Sequence, residues 1–362
     1  MSGYGERMAR FWDDNRLFTV LLELTYRCNL DCVFCYNDLA LAGKPLSLAD
    51  YRTLIDDLAT MGVLHLSLSG GEPLAHPDFF AIGAHARQRG FAVRVKSNGH
   101  ALRGALARRL REEVDPYLIE VSLHGASAAT HDRQTRVAGS FERLLANLAG
   151  LRELGLRVQL NSTLTAWNEA ELAATFELAD RLGLPLQVDP EVTPRDDGDR
   201  SPLDLAPSRA GVRRLFEIQA ERLERAGAAP VRVARHGDEP GAQAASGKHC
   251  GAGSSHLTID PFGNVYPCVQ WRRPVGNLHE TAIAGIWSGS AGLAEVRRIE
   301  TEIPAALATF GGDAREMGFC PGLAEQTQGA ATAVYGAAVE RLTLRREVVA
   351  QRPGHARLPV VG

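Results

Sequence analysis

The chain has 362 residues, 45% of them hydrophobic, enough for about two globular domains and too many for a disordered chain. Its 40 basic and 43 acidic side chains nearly cancel and form no basic run interleaved with aromatics, so nucleic acid is not an expected partner. The amino terminus mixes both charge signs without an apolar stretch, and no later segment is long enough to span a bilayer, so a cytoplasmic protein without membrane contact is expected.

Residues 1–19 read as an N-terminal extension. From Val20 to Pro190, short apolar and β-branched runs alternate with amphipathic segments of helical length, the pattern of βα units around a parallel sheet. The predicted strands are Val20–Thr25, His65–Ser69, Ala92–Ser97, Leu118–Leu123, Arg157–Leu164 and Leu186–Asp189. Ser47 with Asp50 has the spacing of a capping box that opens a helix closing near Gly62, and Asn168 with Glu171 has the same spacing before the fifth helix. Six consecutive units predict an α/β fold, a partial (β/α)6 TIM-like barrel over residues 20–200 whose wide mouth suits a large substrate.

The polar, turn-rich run Pro194–Pro207 and a helix over Ser208–Ala226 predict a linker region, residues 201–245. The polar stretch His236–Lys248 closes it. Residues 246–362 predict a small α+β domain with a helical tail after Tyr335. Its β-hairpin consists of strand Leu257–Asp260, a Pro-Phe-Gly turn and a return strand ending at Cys268, which brings Cys250 and Cys268 to one end.

Six cysteines without a secretion signal point to ligands or catalytic groups and not to a disulfide framework. Cys28, Cys32 and Cys35 follow the first strand in TYRCNLDCVFCY, a C-x3-C-x2-C loop that can wrap one corner of a cubane. Four thiolates would close every iron of a 4Fe-4S cluster, whereas three leave one iron open to a bidentate ligand. Zinc more usually takes paired C-x2-C knuckles, and buried structural cysteines need no clustering.

These three cysteines match the defining motif of the radical S-adenosylmethionine (radical SAM) superfamily, which the chain resembles over roughly Val20 to Gly329. The resemblance implies a 4Fe-4S cluster on Cys28, Cys32 and Cys35. It also implies S-adenosylmethionine on the open iron and reductive cleavage to a 5'-deoxyadenosyl radical that abstracts hydrogen from a substrate. Phe34 occupies the position that stacks on adenine in this family, and Gly70, Gly71, Glu72 and Pro73 match the GGEP segment that meets the methionine amino group. Ser97 and Asn98 in SNG, and Ser122 in VSLHG, fall at strand ends where the family places contacts to the ribose and the methionine carboxylate. His124 stands where an aspartate is common and reads more simply as a structural histidine. Thr130–Phe141 resembles a segment of radical SAM peptide maturases and makes Arg136 the candidate for the methionine carboxylate, with Arg133 close behind. Asn161 is a candidate for the ribose or adenine, or for a backbone partner.

The spacing C-x12-G-x4-C over Cys250, Gly263 and Cys268 resembles the opening of the auxiliary-cluster domains called SPASM and twitch, and Gly276–Trp287 resembles their helix-starting segment. Only Cys320 follows, which implies one auxiliary 4Fe-4S cluster on Cys250, Cys268 and Cys320, of the twitch type. Its fourth position is left open, either vacant or filled by His249, His256, Asp260 or Glu325. The overall resemblance to maturases of ribosomally made peptides, including the enzyme of pyrroloquinoline quinone biosynthesis, implies hydrogen abstraction from a precursor peptide that is then crosslinked or otherwise matured. It also implies a reducing partner such as ferredoxin or flavodoxin. The alternatives are a radical SAM dehydrogenase or decarboxylase acting on a sugar, tetrapyrrole or amino acid derivative, and oxidation of a sulfatase residue to formylglycine, against which the single auxiliary site argues. A non-catalytic iron-sulfur electron-transfer module would need neither GGEP nor a barrel. No spacing singles out a hydrogen donor among Tyr36, Glu72, Tyr266 and Glu325.

Overall fold

The structure, a computed structural model, describes residues 4–226, 246–310 and 317–352. The predicted polar stretch therefore lies outside the described residues as far as residue 245. After helix α1 (Tyr4–Asp13), six strands run in parallel and in chain order across one sheet. They are β1 (Thr19–Thr25), β2 (His65–Gly70), β3 (Ala92–Ser97), β4 (Leu118–Ser122), β5 (Val158–Thr163) and β6 (Leu186–Asp189). Helices α2 (Leu48–Thr60), α3 (Phe79–Gln88), α4 (Gly104–Arg109), α5 (Ala128–Thr135), α6 (Ser140–Glu153) and α7 (Leu172–Leu182) make the crossovers. This is the α/β, TIM-like partial barrel that the strand pattern predicts.

Beyond α8 (Arg209–Ala226) the chain adds β7 (His256–Ile259), β8 (Asn264–Tyr266) and β9 (Gly276–Asn277). Helices α9 (Ile283–Gly289), α10 (Ala291–Ala308), α11 (Pro321–Gln328) and α12 (Gly336–Ala350) follow. The predicted hairpin forms, and it joins the barrel sheet: β7 pairs in parallel with β1, setting Val20 against Leu257 and Leu22 against Ile259. β8 and β9 then pair antiparallel, which gives the order β6-β5-β4-β3-β2-β1-β7-β8-β9. Among the described residues no helix is long and apolar enough to cross a membrane.

The two faces of the sheet differ in chemistry because successive side chains of a strand point to opposite sides. Val20, Leu22, Leu66, Leu68, Val95 and Val121 pack under the helices in one apolar core. The alternate positions, Glu23, Ser67, Arg94, Lys96, Glu120 and Gln159, put polar groups on the inner face. A parallel sheet covered on both sides has near-continuous apolar strands. The alternation here therefore marks a second face that is buried but polar.

Local sequence sets the crossovers. Both halves of the predicted capping box at α2 form, with Asp50 N–H donating to Ser47 Oγ and Ser47 N–H to Asp50 Oδ2. The second box does not form: Asn168 makes no side-chain cap to the turn Glu169–Glu171 before α7. Its amide accepts from Thr165 N–H and donates to the Thr163 carbonyl nearby in the chain and to the His124 carbonyl, a partner that only the folded barrel supplies. Glu171 instead reaches across to the start of α5 and accepts from Ala126 N–H, Ser127 N–H and the Ser127 and Thr130 hydroxyls.

A buried ion pair ties the first strand to the region after β8. Arg272 donates in a fork to both oxygens of Glu23, at 2.8 and 2.7 Å, and its Nε lies 2.9 Å from Asp196. Glu23 is fully buried on β1 and also accepts from the Tyr26 hydroxyl at 3.0 Å. Removing the guanidinium strands the buried Glu23 and the half-buried Asp196, so Arg272→Met is expected to cost about 3–5 kcal/mol in urea unfolding followed by circular dichroism. Combining it with Glu23→Gln is expected to recover part of that loss, which a double-mutant cycle measures.

Candidate active site

The cysteine loop starts where β1 ends and is held from two sides. On one side, Gly71 N–H donates to Thr25 O at 2.7 Å and Glu72 N–H donates to Arg27 O at 2.9 Å. On the other, Asp31 and Val33 N–H donate to the carbonyls of Thr135 and Gln134 at the end of α5. The two glycines are required by the closeness of the first contact. A Cβ on Gly70, whose φ is +123°, would lie 2.3 Å from Thr25 O, and one on Gly71 would lie 2.6 Å from Arg27 O. The space that Gly70 and Gly71 leave is thus filled by the loop that carries the cysteines.

Glu72 is the knot behind that loop. Its buried carboxylate accepts from Ser97 Oγ at 2.9 Å, Asn98 N–H at 2.8 Å and Leu74 N–H at 3.2 Å, the last across the turn that Pro73 opens. Burial pushes its pKa up to about 7, against the pull of these donors. Asn98 turns its amide to the loop, donating to Asn29 Oδ1 at 2.8 Å and lying 3.7 Å from Cys28 Sγ. Leu30 N–H also donates to that sulfur, at 3.4 Å. A cavity of about 520 Å³ opens beside these groups, lined by Asn29, Glu72, His100, Arg103 and Arg143 among others.

The donor set suits an iron-sulfur cluster. Burial pushes the thiols of Cys28, Cys32 and Cys35 up, and at Cys32 the charges of Cys35 and Cys28 add to the effect. The charges of Cys28 and Cys35 act on Cys32 and that of Cys28 on Cys35, so the three sulfurs stand near one another, and iron would supply the positive charge that holds them as thiolates. Among the described residues no three Cys, His, Asp or Glu side chains converge as a single metal ion would require. A cubane asks for something different, since each thiolate binds its own iron corner.

The other predicted contacts are dispersed around the mouth. The Phe34 ring packs edge-on against His124, with centroids 4.6 Å apart. His124 accepts from Thr163 N–H and burial lowers its pKa to about 3, so it is a neutral, bonded histidine. Ser122 pairs in register with Asn161, whose amide donates to Glu120 at 3.2 Å and accepts from Gln159 at 2.8 Å. Arg136 is exposed and pairs with Asp31 of the cysteine loop at 3.2 Å, while Arg133 lies 3.9 Å over the Trp167 ring. The structure thus brings Glu72, Ser97 and Asn98 together at Cys28, and sets Arg136 on the outer side of the loop.

Cys250, Cys268 and Cys320 gather at a second place, all packed against one apolar cluster that includes Trp271, Val296 and Phe319. Cys320 caps α11, its sulfur accepting from Leu323 N–H at 3.5 Å, and its own N–H donates to the Tyr335 hydroxyl. Burial pushes the Cys250 and Cys320 thiols up, and the charge of Cys268 acts on both.

The family model of the radical SAM superfamily matches residues 22–179, and that of the SPASM iron-sulfur cluster-binding domain matches residues 250–307. An AdoMet-dependent heme synthase from Methanosarcina barkeri is 31% identical over 292 residues, covering 74% of this chain and 81% of that protein. The chain belongs to the radical SAM superfamily. A PqqA peptide cyclase from Ruegeria pomeroyi is 34% identical over 253 residues, covering 69% of this chain and 67% of its own length. Among solved structures, native anSMEcpe with bound AdoMet matches with a TM-score of 0.66 at 14% identity, covering 92% of this chain and all of that one (100%), a likeness of fold. As a radical SAM enzyme with a SPASM-type region, the chain carries a 4Fe-4S cluster that binds S-adenosylmethionine and an auxiliary iron-sulfur domain.

The radical SAM barrel also holds polar residues that the motifs did not reveal. Glu120 on β4 is buried between Arg94 and Lys96 of β3, with Arg94 at 3.0 Å. Burial would raise its pKa, but these two cations hold it below the usual range. Their signal was the period of two in VRVKS, IEVS and VQLNS, polar at every second place of strands expected to be apolar. The test of the loop's support is Gly71→Ala, in which the new Cβ meets backbone on both Tyr26 and Arg27. About half of the bound iron is expected to be lost in a colorimetric iron assay while the auxiliary site stays loaded.

Proposed function

We propose that this enzyme matures a precursor peptide by hydrogen abstraction. When bound, the cluster and S-adenosylmethionine supply a 5'-deoxyadenosyl radical at the cost of one electron, which a ferredoxin or flavodoxin provides. The residues of the chain do the rest. Cys28, Cys32 and Cys35 would hold the cluster through three of its irons, and Glu72, Ser97 and Asn98 fix the loop that carries them. Gly70 to Pro73 would offer backbone for the methionine amino group, Phe34 an aromatic face for adenine, and Ser122 with Asn161 hydroxyl and amide groups for the ribose.

The observation that carries the substrate class is the inner face of the barrel. Gln159, Asn161 and Gln187 form a chain of side-chain amides across β5 and β6, with Gln159 donating to both neighbours at 2.8 and 3.2 Å. Such groups both donate and accept, as a peptide backbone requires. The kinship with a PqqA peptide cyclase supports the same reading. A tetrapyrrole is the second reading, favoured by the kinship with a heme synthase.

Anaerobic reconstitution, reduction and addition of S-adenosylmethionine are expected to yield 5'-deoxyadenosine by liquid chromatography, and Cys28→Ala to abolish it. With a short peptide encoded beside the gene, mass spectrometry is expected to show loss of hydrogen from the peptide. An unchanged peptide together with turnover of an iron porphyrin would replace the peptide by the tetrapyrrole.

A further inference from the structure

The cysteine loop can be approached from outside the barrel as well as from the mouth. The cavity of about 520 Å³ beside Asn29 has walls from the turn Pro73–Ala75, the connection before α4 and the first turn of α6, elements on the helical side of the sheet. Ser122 and Asn161, proposed above for S-adenosylmethionine, stand on β4 and β5 instead.

This outer cavity is basic. Arg103 and Arg143 line it, and both are exposed. Among the described residues neither guanidinium has an ion-pair partner, and nearby acids are engaged elsewhere. Asp132 accepts from Gly139 N–H, Phe141 N–H and the Ser140 hydroxyl at the start of α6, and Arg109 holds Glu113. Glu72, also in the wall, is buried and gives its carboxylate to Ser97, Asn98 and Leu74, while the exposed Glu142 takes no part in the wall. On α4, one turn beyond Arg103, Leu106 leaves a large apolar side chain 38% exposed.

The same wall reaches a cluster ligand. His100, buried in it, donates its backbone N–H to Asn98 Oδ1 at 3.0 Å, and Asn98 Nδ2 lies 3.7 Å from Cys28 Sγ. The amide of Asn29 lies 3.5 Å from His100 Nδ1. Burial lowers the His100 pKa, and the charge of Arg143 adds to the effect, which places that guanidinium close to the ring. Cys28 itself is exposed. A single asparagine thus separates the cavity wall from a cysteine sulfur.

We propose that this outer surface docks the electron carrier, a small acidic redox protein of the ferredoxin or flavodoxin kind whose carboxylates meet Arg103 and Arg143. The inference rests on the reading above that such a carrier reduces the cluster on Cys28, Cys32 and Cys35. One electron leaves the carrier, which is oxidised, and enters the cluster from the Cys28 side. Opposite charges steer the encounter, and a transient redox contact needs only a small area.

The test compares reductants on the full, reconstituted chain and reads 5'-deoxyadenosine formation. Dithionite reaches the loop by diffusion and reports the radical chemistry itself, so its failure with the unaltered chain would count against the cluster reading and not against the docking surface. Reduced ferredoxin and reduced flavodoxin report docking. Arg103→Glu combined with Arg143→Glu is expected to lower the carrier-driven rate about tenfold at limiting carrier, through a higher KM for the carrier, and to leave the dithionite-driven rate unchanged. The carrier-driven rate of the unaltered chain is expected to fall with added salt, and that of the variant to lose this dependence. Arg52→Glu combined with Arg181→Glu, exposed on α2 and α7, changes net charge equally and is expected to leave both rates unchanged. Equal loss with both kinds of reductant, an unchanged carrier-driven rate, the same loss in the control, or no turnover of the unaltered chain with either carrier overturns the proposal. If the charge-reversed chain does not fold, Arg103→Gln with Arg143→Gln and the salt series decide in the same way.

Discussion

Everything at the mouth of this barrel depends on how closely two strand ends approach. The backbone of Gly70 and Gly71 lies so near Thr25, Tyr26 and Arg27 that no side chain fits between. Two N–H groups of that turn hold the chain just before the first cysteine. From there the order is mechanical. Glu72 locks the turn to Ser97 and Asn98 on β3, and Asn98 reaches back to the cysteine loop. A cluster of iron and sulfide imposes its own spacing on its ligands, and the protein meets it by fixing where the loop begins and ends.

The rest of the architecture separates two solvents. Aliphatic side chains on one face of the sheet lie against helices, while the other face carries a charged and amide-rich surface whose groups neutralise one another: Glu120 between Arg94 and Lys96, and Glu23 against Arg272. Such an interior excludes bulk water without becoming apolar, which suits a reaction that must protect a reactive carbon species and still hold a polar substrate. The ion pair at Glu23 also ties the loop after Cys268 to the strand that leads to Cys28, so the two cysteine groups share one rigid support.

The sequence was most legible where the signal is local. The six barrel strands came from β-branched runs, the box at Ser47 from a spacing of three, and both cysteine groups from their intervals. It was opaque where partners are distant. Asn168 looked like a cap, yet its amide is claimed by the Thr163 carbonyl at the end of β5 and by His124 on the connection after β4. Glu300, a buried carboxylate that accepts from Cys250 N–H, lies fifty positions from that cysteine, in a helix whose sequence marks it only as one more acidic residue. The inner-face charges were written in the alternation of VRVKS and IEVS, but that pattern acquires meaning only once the strands are known to be parallel and closed over by helices.

The pairing of β7 with β1 bears on how such a chain can be taken apart. An open barrel built only from the first six strands would leave one side of β1 with its peptide groups bare, a ready template for stacking against another copy. Here residues from His256 to Ile259 occupy that side in full register, from Thr19 to Leu22. The cysteine-bearing carboxyl-terminal part is thus no detachable accessory: a shortened chain ending before it would gain an adhesive flank, and its insolubility would say nothing about the chemistry of the mouth.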